Sequence, residues 1–487
     1  MTAEETGVKL PGFSRSWKMD FIKNSRLRAR LFRIILGVIF TTWLLSGCLQ
    51  QVDWTWLTGS PTPPLMTATF TPSAAGKTAT AAKVSAPINI TPSPGGLPTP
   101  PGLATLQKPA TTMQLVVWVP PDFYPTPANT GSDLLKARIQ SFEKLYPNVQ
   151  VQIRVKALSG PSGLLEALTT TSAAAPAALP SIIALPRSDL ETAAIKSLIQ
   201  PLDKYTRVID NPDWYTYARQ LALVQNTVFG IPFAGDALIL AYRPLKTGVS
   251  PVDWQTIQRI NQPIGFAAAD PQALFTLALY QSAGGQIEDT QRRPVLQVEP
   301  LSQVLKLYAD GLQRGYMPLW LTQYDTSGQV WQAFREQRVN LLVTWSSQYL
   351  ASLPADATAQ VIPPLGGSPL SLMTGYAWAL SEPVPEKREM AVRLAEYLSF
   401  SEFLGRWTET AGFLPPRPSA LASWQNQSMQ NIFSQVVIAA QLRPSNEVLN
   451  SLGPVLSEAT IKVLKRESDP IKAAQAAAER IAARPTR

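Results

Sequence analysis

Three short apolar runs, each followed by a stretch of helical periodicity, constrain the fold of this chain more than any other feature. Leu115-Val116-Val117-Trp118 ends in a Pro-rich loop and reads as a buried strand. Ser132 or Asp133 is placed to cap the next helix, whose Leu135, Ile139, Phe142 and Tyr146 share one face until Pro147-Asn148 stops it. Val149, Val151, Ile153 and Val155 then alternate with Gln150, Gln152, Arg154 and Lys156, the period of two of a half-buried strand. A helical stretch at 164–171, a buried strand at 181–185 and a helix at 190–198 complete a β-α-β-α-β-α order. Parallel neighbours need a crossover, and a helix is the compact one. The order therefore predicts an α/β fold with a mostly parallel sheet and helices on its faces.

The rest of the body repeats the theme with more helix. Leu301, Val304, Leu305, Tyr308 and Leu312 form one helical stripe, and 339–345 is a central apolar strand. Ala391, Leu394, Ala395 and Leu398 form another helical face, and 455–483 is helical with a break at Asp469-Pro470. No short internal repeat points to a solenoid.

Ahead of the body, residues 49–112 hold 11 prolines and 13 threonines without hydrophobic period. Such a segment buries too little apolar surface to offset chain ordering and reads as a disordered, partly extended stalk. Its relaxed span is ~45 Å and its extended reach ~200 Å. Before it, the basic run 18–33 leads into IILGVIFTTWLL and then Leu45-Ser46-Gly47-Cys48. Twelve mostly apolar residues fit a secretory signal better than a span, which needs ~20. The four residues resemble the bacterial lipobox, in which the Cys thiol receives diacylglycerol. The expected arrangement is a signal peptide over 1–47, then the lipidated Cys48 and the linker over 48–112. An uncleaved N-terminal membrane anchor is the alternative; either places the body on the extracytoplasmic face.

The mature body carries few reactive or charged signals. The chain has no histidine and a single cysteine, which excludes a Ser-His-Asp triad, a CxxC site and His-ligated metal. No cofactor is expected. The net charge of +9 falls mostly on the leader and linker, leaving about +2 for residues 113–487. With no basic stripe interleaved with aromatics, no nucleic-acid partner is expected.

The order of segments resembles the extracellular solute-binding proteins of bacterial ABC importers, family 1, the group that includes maltose-binding protein. The resemblance rests on FEKLYPNVQVQI at 142–153, LIQPLD at 198–203, FGIPF at 229–233, Ala283-Gly284-Gly285, Phe334 with the strand 339–345, GYAWAL at 375–380, and the final VLKRESDPIKAAQAAAERIA. It implies a two-lobed periplasmic-binding-protein-like fold (type II) with a hinge of crossing strands near 237–243, 341–347 and Phe400. Lobe 1 would comprise 113–238 and 346–400, lobe 2 239–345 and 401–487. The ligand would lie between them, with Trp118, Tyr124, Phe233, Trp320, Trp345, Tyr376 and Trp378 as ring platforms and Asp236 as polar anchor. Tyr376 and Trp378 share a strand face, so both would face the cleft or both the core. The sequence departs from the family pattern at Ser181, Arg243, Gln337, Trp345 and Ser347.

The resemblance implies a monomeric, lipid-anchored binding protein, not an enzyme, that captures a small solute and passes it to ABC permease subunits. The aromatics and near-neutral body favour a sugar or oligosaccharide; a phosphorylated polyol paired by Arg243 is a second option. Two alternatives stay open at this point. One is a ligand-sensing or adhesive lipoprotein on the same fold. The other is a surface glycoside hydrolase using carboxylates such as Asp236 and Asp325.

Overall fold

The computed structural model describes residues 112–124 and 130–483. The leader, Cys48 and the linker up to residue 111 lie outside these residues. Among the described residues no helix is long and apolar enough to cross a membrane.

The strands are β1 (Met113–Val119), β2 (Val149–Val155), β3 (Ile182–Pro186), β4 (Leu223–Val224), β5 (Thr227–Val228), β6 (Gly230–Tyr242), β7 (Ile264–Gly265), β8 (Leu341–Trp345), β9 (Thr358–Gln360), β10 (Ser371–Leu380) and β11 (Ala440–Leu442). One mixed sheet runs β2-β1-β3-β10-β6-β8-β7, with β11 beside β10 and β9 beside β6; β4 and β5 pair separately. β1 is parallel to β2 and β3, as the β-α-β order requires. The later strands depart from the parallel expectation: β10 runs antiparallel to β3 and β6, and β6 antiparallel to β8 and β9. β10 arrives from nearly two hundred residues beyond β3, so no local crossover governs its direction.

Strand alternation builds the layers of the first lobe. Leu115, Val117 and Val119 of β1, Ile182 and Ala184 of β3, and Trp378 and Leu380 of β10 enter one core. Their neighbours Trp118, Ile183, Leu185, Ala377 and Ala379 face the opposite side, against Leu164, Leu168, Leu190 and Ala193. β2 lies at the sheet edge, and its half-buried alternation follows from that place. The helix Thr130–Leu145 starts ahead of the expected cap, with Ser132 and Asp133 in its first turn. Its Leu135, Ile139 and Phe142 are buried as the periodicity predicts.

β6 joins the two halves. Beyond Ala237 its residues divide between two cores: Ile239 and Ala241 join the first, while Leu238, Leu240 and Tyr242 join the second. Leu341 and Val343 of β8 and the stripe Leu301, Val304, Leu305 and Tyr308 complete the second core, with the helices Leu274–Ser282, Asn446–Leu464 and Pro470–Ala482. The helix Asn446–Leu464 runs through Pro454, starting earlier than the sequence indicates. A proline in a helix interior costs about 3 kcal/mol. The buried Leu449, Leu452, Val455 and Leu456 around it offset that cost at roughly 1.5–3 kcal/mol each.

The lobe boundary expected at residue 400 is displaced. Leu404, Trp407, Leu414, Trp424 and Phe433 belong to the first core, not the second. Leu414 and Gly235 exchange backbone hydrogen bonds of 2.6 and 2.8 Å, and Tyr217 Oη donates to the Pro415 carbonyl at 3.2 Å. The chain passes to the second core only after β11, where Val448 and Leu449 enter it. Asn446 anchors that passage to the first lobe, its N–H donating to Glu191 Oε2 at 2.8 Å and its Nδ2 to the Ser188 carbonyl at 2.8 Å. Gln337, where the family pattern has glycine, still adopts a left-handed φ of 58° after the helix Ser327–Arg335.

At the centre of the crossing, Gly375 of β10 lies opposite Gly235 of β6. A methyl group at Gly375 would run into the Ala234 carbonyl oxygen and sit 3.2 Å from Gly235 Cα. Gly375→Ala is expected to destabilise the protein by about 1–3 kcal/mol in urea unfolding. Gly328→Ala, whose methyl meets nothing nearer than Gln348 Nε2 at 3.7 Å, is the control. It should shift stability by less than about 0.5 kcal/mol.

Candidate functional site

The site is organised where β6 and β8 pass between the cores. Asp236 of β6 faces the start of the helix Ser346–Ser352, which follows β8 directly. Its Oδ1 accepts from Ser346 Oγ at 2.8 Å and from the Ser347 N–H at 2.9 Å; its Oδ2 accepts from Ser347 Oγ at 2.6 Å. A carboxylate on one strand thus caps a helix more than a hundred residues away. Burial pushes its pKa up to about 6, against the lowering effect of hydrogen bonds from Ser347, Ser346 and Ala237.

Tyr376 and Trp378 do share one face of β10, but that face runs from core to opening along the strand. Trp378 is 2% exposed and stacks on Phe233 at 4.2 Å, so both rings are core residues and not open platforms. Tyr376, two residues nearer the crossing, is half-buried and rests edge-on against Phe123 at 4.7 Å and Phe413 at 6.0 Å. Burial raises its phenol pKa first, and the charges of Asp122, Asp236 and Asp189 raise it further. Asp236 stands on the neighbouring strand opposite Thr374, two residues from Tyr376. Asp189 is itself pushed up to about 6, first by burial, with Glu166 adding and Ser188 and Arg443 opposing.

Trp345 ends β8 half-buried and lines a cavity of about 300 Å³ with Leu238, Phe266, Phe275, Asp270 and Asp325. Asp270 accepts from the Gln272 N–H at 2.9 Å and the Leu274 N–H at 3.0 Å, holding the first turn of the helix Leu274–Ser282. Burial raises its pKa, the two N–H groups lower it, and Asp325 raises it. Trp320 is half-buried, edge-on to Tyr324 at 5.5 Å, and both rings pack against both cores.

Other expected residues sit elsewhere. Trp118 lies within β1, and its parity turns it to the side opposite Val117. It is 2% exposed among Leu164, Leu168 and Leu190 and presents no ring face to an opening. Tyr124 is half-buried against the first core, with Lys136 Nζ 5.4 Å from its ring centre. Arg243 is buried, paired with Asp356 at 2.5 Å, bonded to the Val339 carbonyl at 3.2 Å, and stacked 3.8 Å over Phe334. It cannot serve an incoming phosphate. Ser181 accepts from the Val116 N–H at 3.1 Å and donates to buried Glu382. These two departures from the family pattern are thus absorbed by local bonds, and Ser347 is the group that holds Asp236. Asp189 and Asp270 escape a sequence reading because each lies at the start of a helix, where an acidic residue needs no function. Among the described residues no cluster of His, Cys, Asp or Glu is placed to hold a metal ion.

Residues 137–431 match the family model of the bacterial extracellular solute-binding proteins. The chain belongs to that family. The solute-binding protein also matches solved structures across 76% of its length. They include the maltose-bound MalE3 of T. maritima (15% identity, 99% of that chain, TM-score 0.59) and the sugar-binding protein MalE of Xanthomonas citri (16%, 96%, 0.63). A third is the cyclic alpha-maltosyl-1,6-maltose binding protein of Arthrobacter globiformis (15%, 98%, 0.62). At these identities the likeness is one of fold, and the fold is the two-lobed, maltose-binding-protein type. No curated protein matches the chain by sequence. The family places this solute-binding protein outside the cytoplasm.

Asp236 makes stability depend on pH in a defined direction. Its folded pKa of about 6 lies above that of an unfolded aspartate, so stabilisation is full below the unfolded value and is lost as pH rises through 6. Asp236→Asn cannot titrate and keeps the shape. Relative to wild type, its unfolding free energy should rise by about 1–3 kcal/mol between pH 4 and pH 7 in denaturant titrations. Asp189 titrates in both proteins and cancels in the difference.

Proposed function

We propose that this solute-binding protein captures a carbohydrate outside the cell, closes over it, and delivers it to the permease of an ABC importer. The observation that carries this reading is the pair of half-buried rings, Tyr376 and Trp345, at the strand passages between the lobes, with Asp270 and Asp325 lining the cavity at Trp345 and Asp236 two residues from Tyr376 on the neighbouring strand. The apolar face of a pyranose rests on such a ring, while its hydroxyls donate to the carboxylates. The sugars named with the structural relatives, maltose, a cyclic maltosyl-maltose and maltotetraose, support it.

Closure would pivot on β6 and β10, driven by the ligand's higher affinity for the closed form. We infer binding without reaction: Asp236, the best-placed carboxylate for acid-base work, already holds Ser346 and Ser347. The protein acts as a monomer, tethered through lipid on Cys48 by the Pro/Thr-rich linker.

In thermal-shift screening, at least one member of a panel of neutral, acidic and amine-bearing oligosaccharides should raise the melting temperature. Trp345→Ala and Tyr376→Ala should each weaken that ligand about tenfold or more, consistent with the loss of one ring contact. Trp378→Ala should instead cost about 3–5 kcal/mol of stability without ligand. A panel that stabilises nothing counts against a carbohydrate. For the anchor, Cys48→Ser should move the protein from the membrane to the soluble fraction in cell fractionation; retention on the membrane would favour an uncleaved span.

A further inference from the structure

We infer that the carbohydrate recognised in this cleft carries protonated amines, as in an oligosaccharide of free amino sugars. The inference rests on the carbohydrate reading and narrows it. Its basis is the charge inventory around the two rings. Asp270 and Asp325 line the cavity at Trp345, and Asp236 stands on the neighbouring strand opposite Thr374, two residues from Tyr376. The other polar side chains of that cavity are Gln272, Thr326 and Ser327, with no lysine or arginine among its lining residues.

The hydrogen-bond partners of these carboxylates are neutral. Asp236 is held by two serines and a backbone N–H, Asp270 by two backbone N–H groups. Two neighbouring guanidinium groups are committed elsewhere. Arg187 pairs with Glu191 at 2.7 Å and bonds the carbonyls of Gln220, Leu221 and Leu223. Arg338 pairs with Glu336 at 2.8 Å and bonds Tyr324 Oη. Arg443 donates from Nη2 to Asn446 Oδ1 at 3.0 Å, its Nε is buried without a partner, and its charge acts on Asp189.

Closure of the lobes removes water from these groups. A neutral sugar supplies donors to the carboxylate oxygens but no countercharge, so each carboxylate must bear its charge unpaired or take up a proton as it is buried. An ammonium group supplies both donors and charge, and its charge-assisted bonds strengthen as the cleft dries. An acidic sugar adds repulsion. The rings supply the sugar faces; the carboxylates select the amine.

The test compares four probes on the full-length protein by calorimetry and thermal shift: a β-1,4-linked glucosamine trimer, its fully N-acetylated form, maltotriose and spermidine. The glucosamine trimer should bind at least about tenfold tighter than the N-acetylated trimer and maltotriose, and weaken with added salt. Asp325→Asn, an exposed carboxylate outside the helix caps, should reduce that affinity several-fold while the melting temperature without ligand stays unchanged. Equal or tighter binding of maltotriose or the N-acetylated trimer overturns the amine inference and leaves the carbohydrate reading standing. Stabilisation by spermidine alone, or by none of the four, overturns the amine-sugar inference; spermidine alone also counts against a carbohydrate. Unaltered affinity in Asp325→Asn overturns the assignment to the Trp345 cavity.

Discussion

One strand has to satisfy two hydrophobic cores at once. From Leu238 to Tyr242, alternate side chains of β6 enter different cores, so a slip of one residue would expose both sets together. Register at the crossing is therefore set by packing on both sides, not by a turn. The close approach of Gly375 to Gly235 follows, since strands locked this way have no room to part for a side chain. The position of Asp236 follows as well. It is the last polar residue before the division begins, placed at the seam with its carboxylate turned to the helix Ser346–Ser352.

Where periodicity was local, the sequence was legible. The alternation of β1, β2 and β3, the stripe of the helix Val298–Arg314 and the break at Asp469-Pro470 all needed only nearest neighbours to interpret. The aromatic platforms were not legible in the same way. Trp118, Phe233, Trp378 and Tyr376 all lie on strands, and a strand face says which side a ring takes but not how far along that side the core extends. Trp378 and Tyr376 differ by two residues on one face, yet one is enclosed and the other half-open. Trp378 stacks face to face on Phe233, whereas Phe123 and Phe413, from two remote segments, meet Tyr376 only edge-on. The same remoteness explains the displaced lobe boundary. Nothing in the pattern of 401–438 distinguishes a helix packed on the first lobe from one packed on the second.

The departures from the family pattern have a common physical form. Gln337 accepts the left-handed conformation that glycine adopts more easily, Arg243 is neutralised by Asp356 and stacked on Phe334, and Ser181 joins a strand edge to Glu382. Each replacement keeps the backbone path and exchanges only the local bonds. Ser347 differs because its partner, Asp236, lies at the crossing between the two cores. By donating twice to Asp236 it keeps that carboxylate oriented while adding no charge of its own.

That last point bears on what the cleft can accept. A carboxylate held by arginine presents a nearly neutral surface, and a ligand meets it chiefly as a hydrogen-bond acceptor. Asp236 and Asp270 are instead held by neutral donors, serines and backbone N–H groups, and burial raises the pKa of each. Desolvation without a countercharge is costly in the open form and grows as the lobes approach. A ligand that brings positive charge converts that growing cost into a growing attraction. The chemistry that discriminates between ligands then also favours the closed state, and selectivity and closure have a single physical origin.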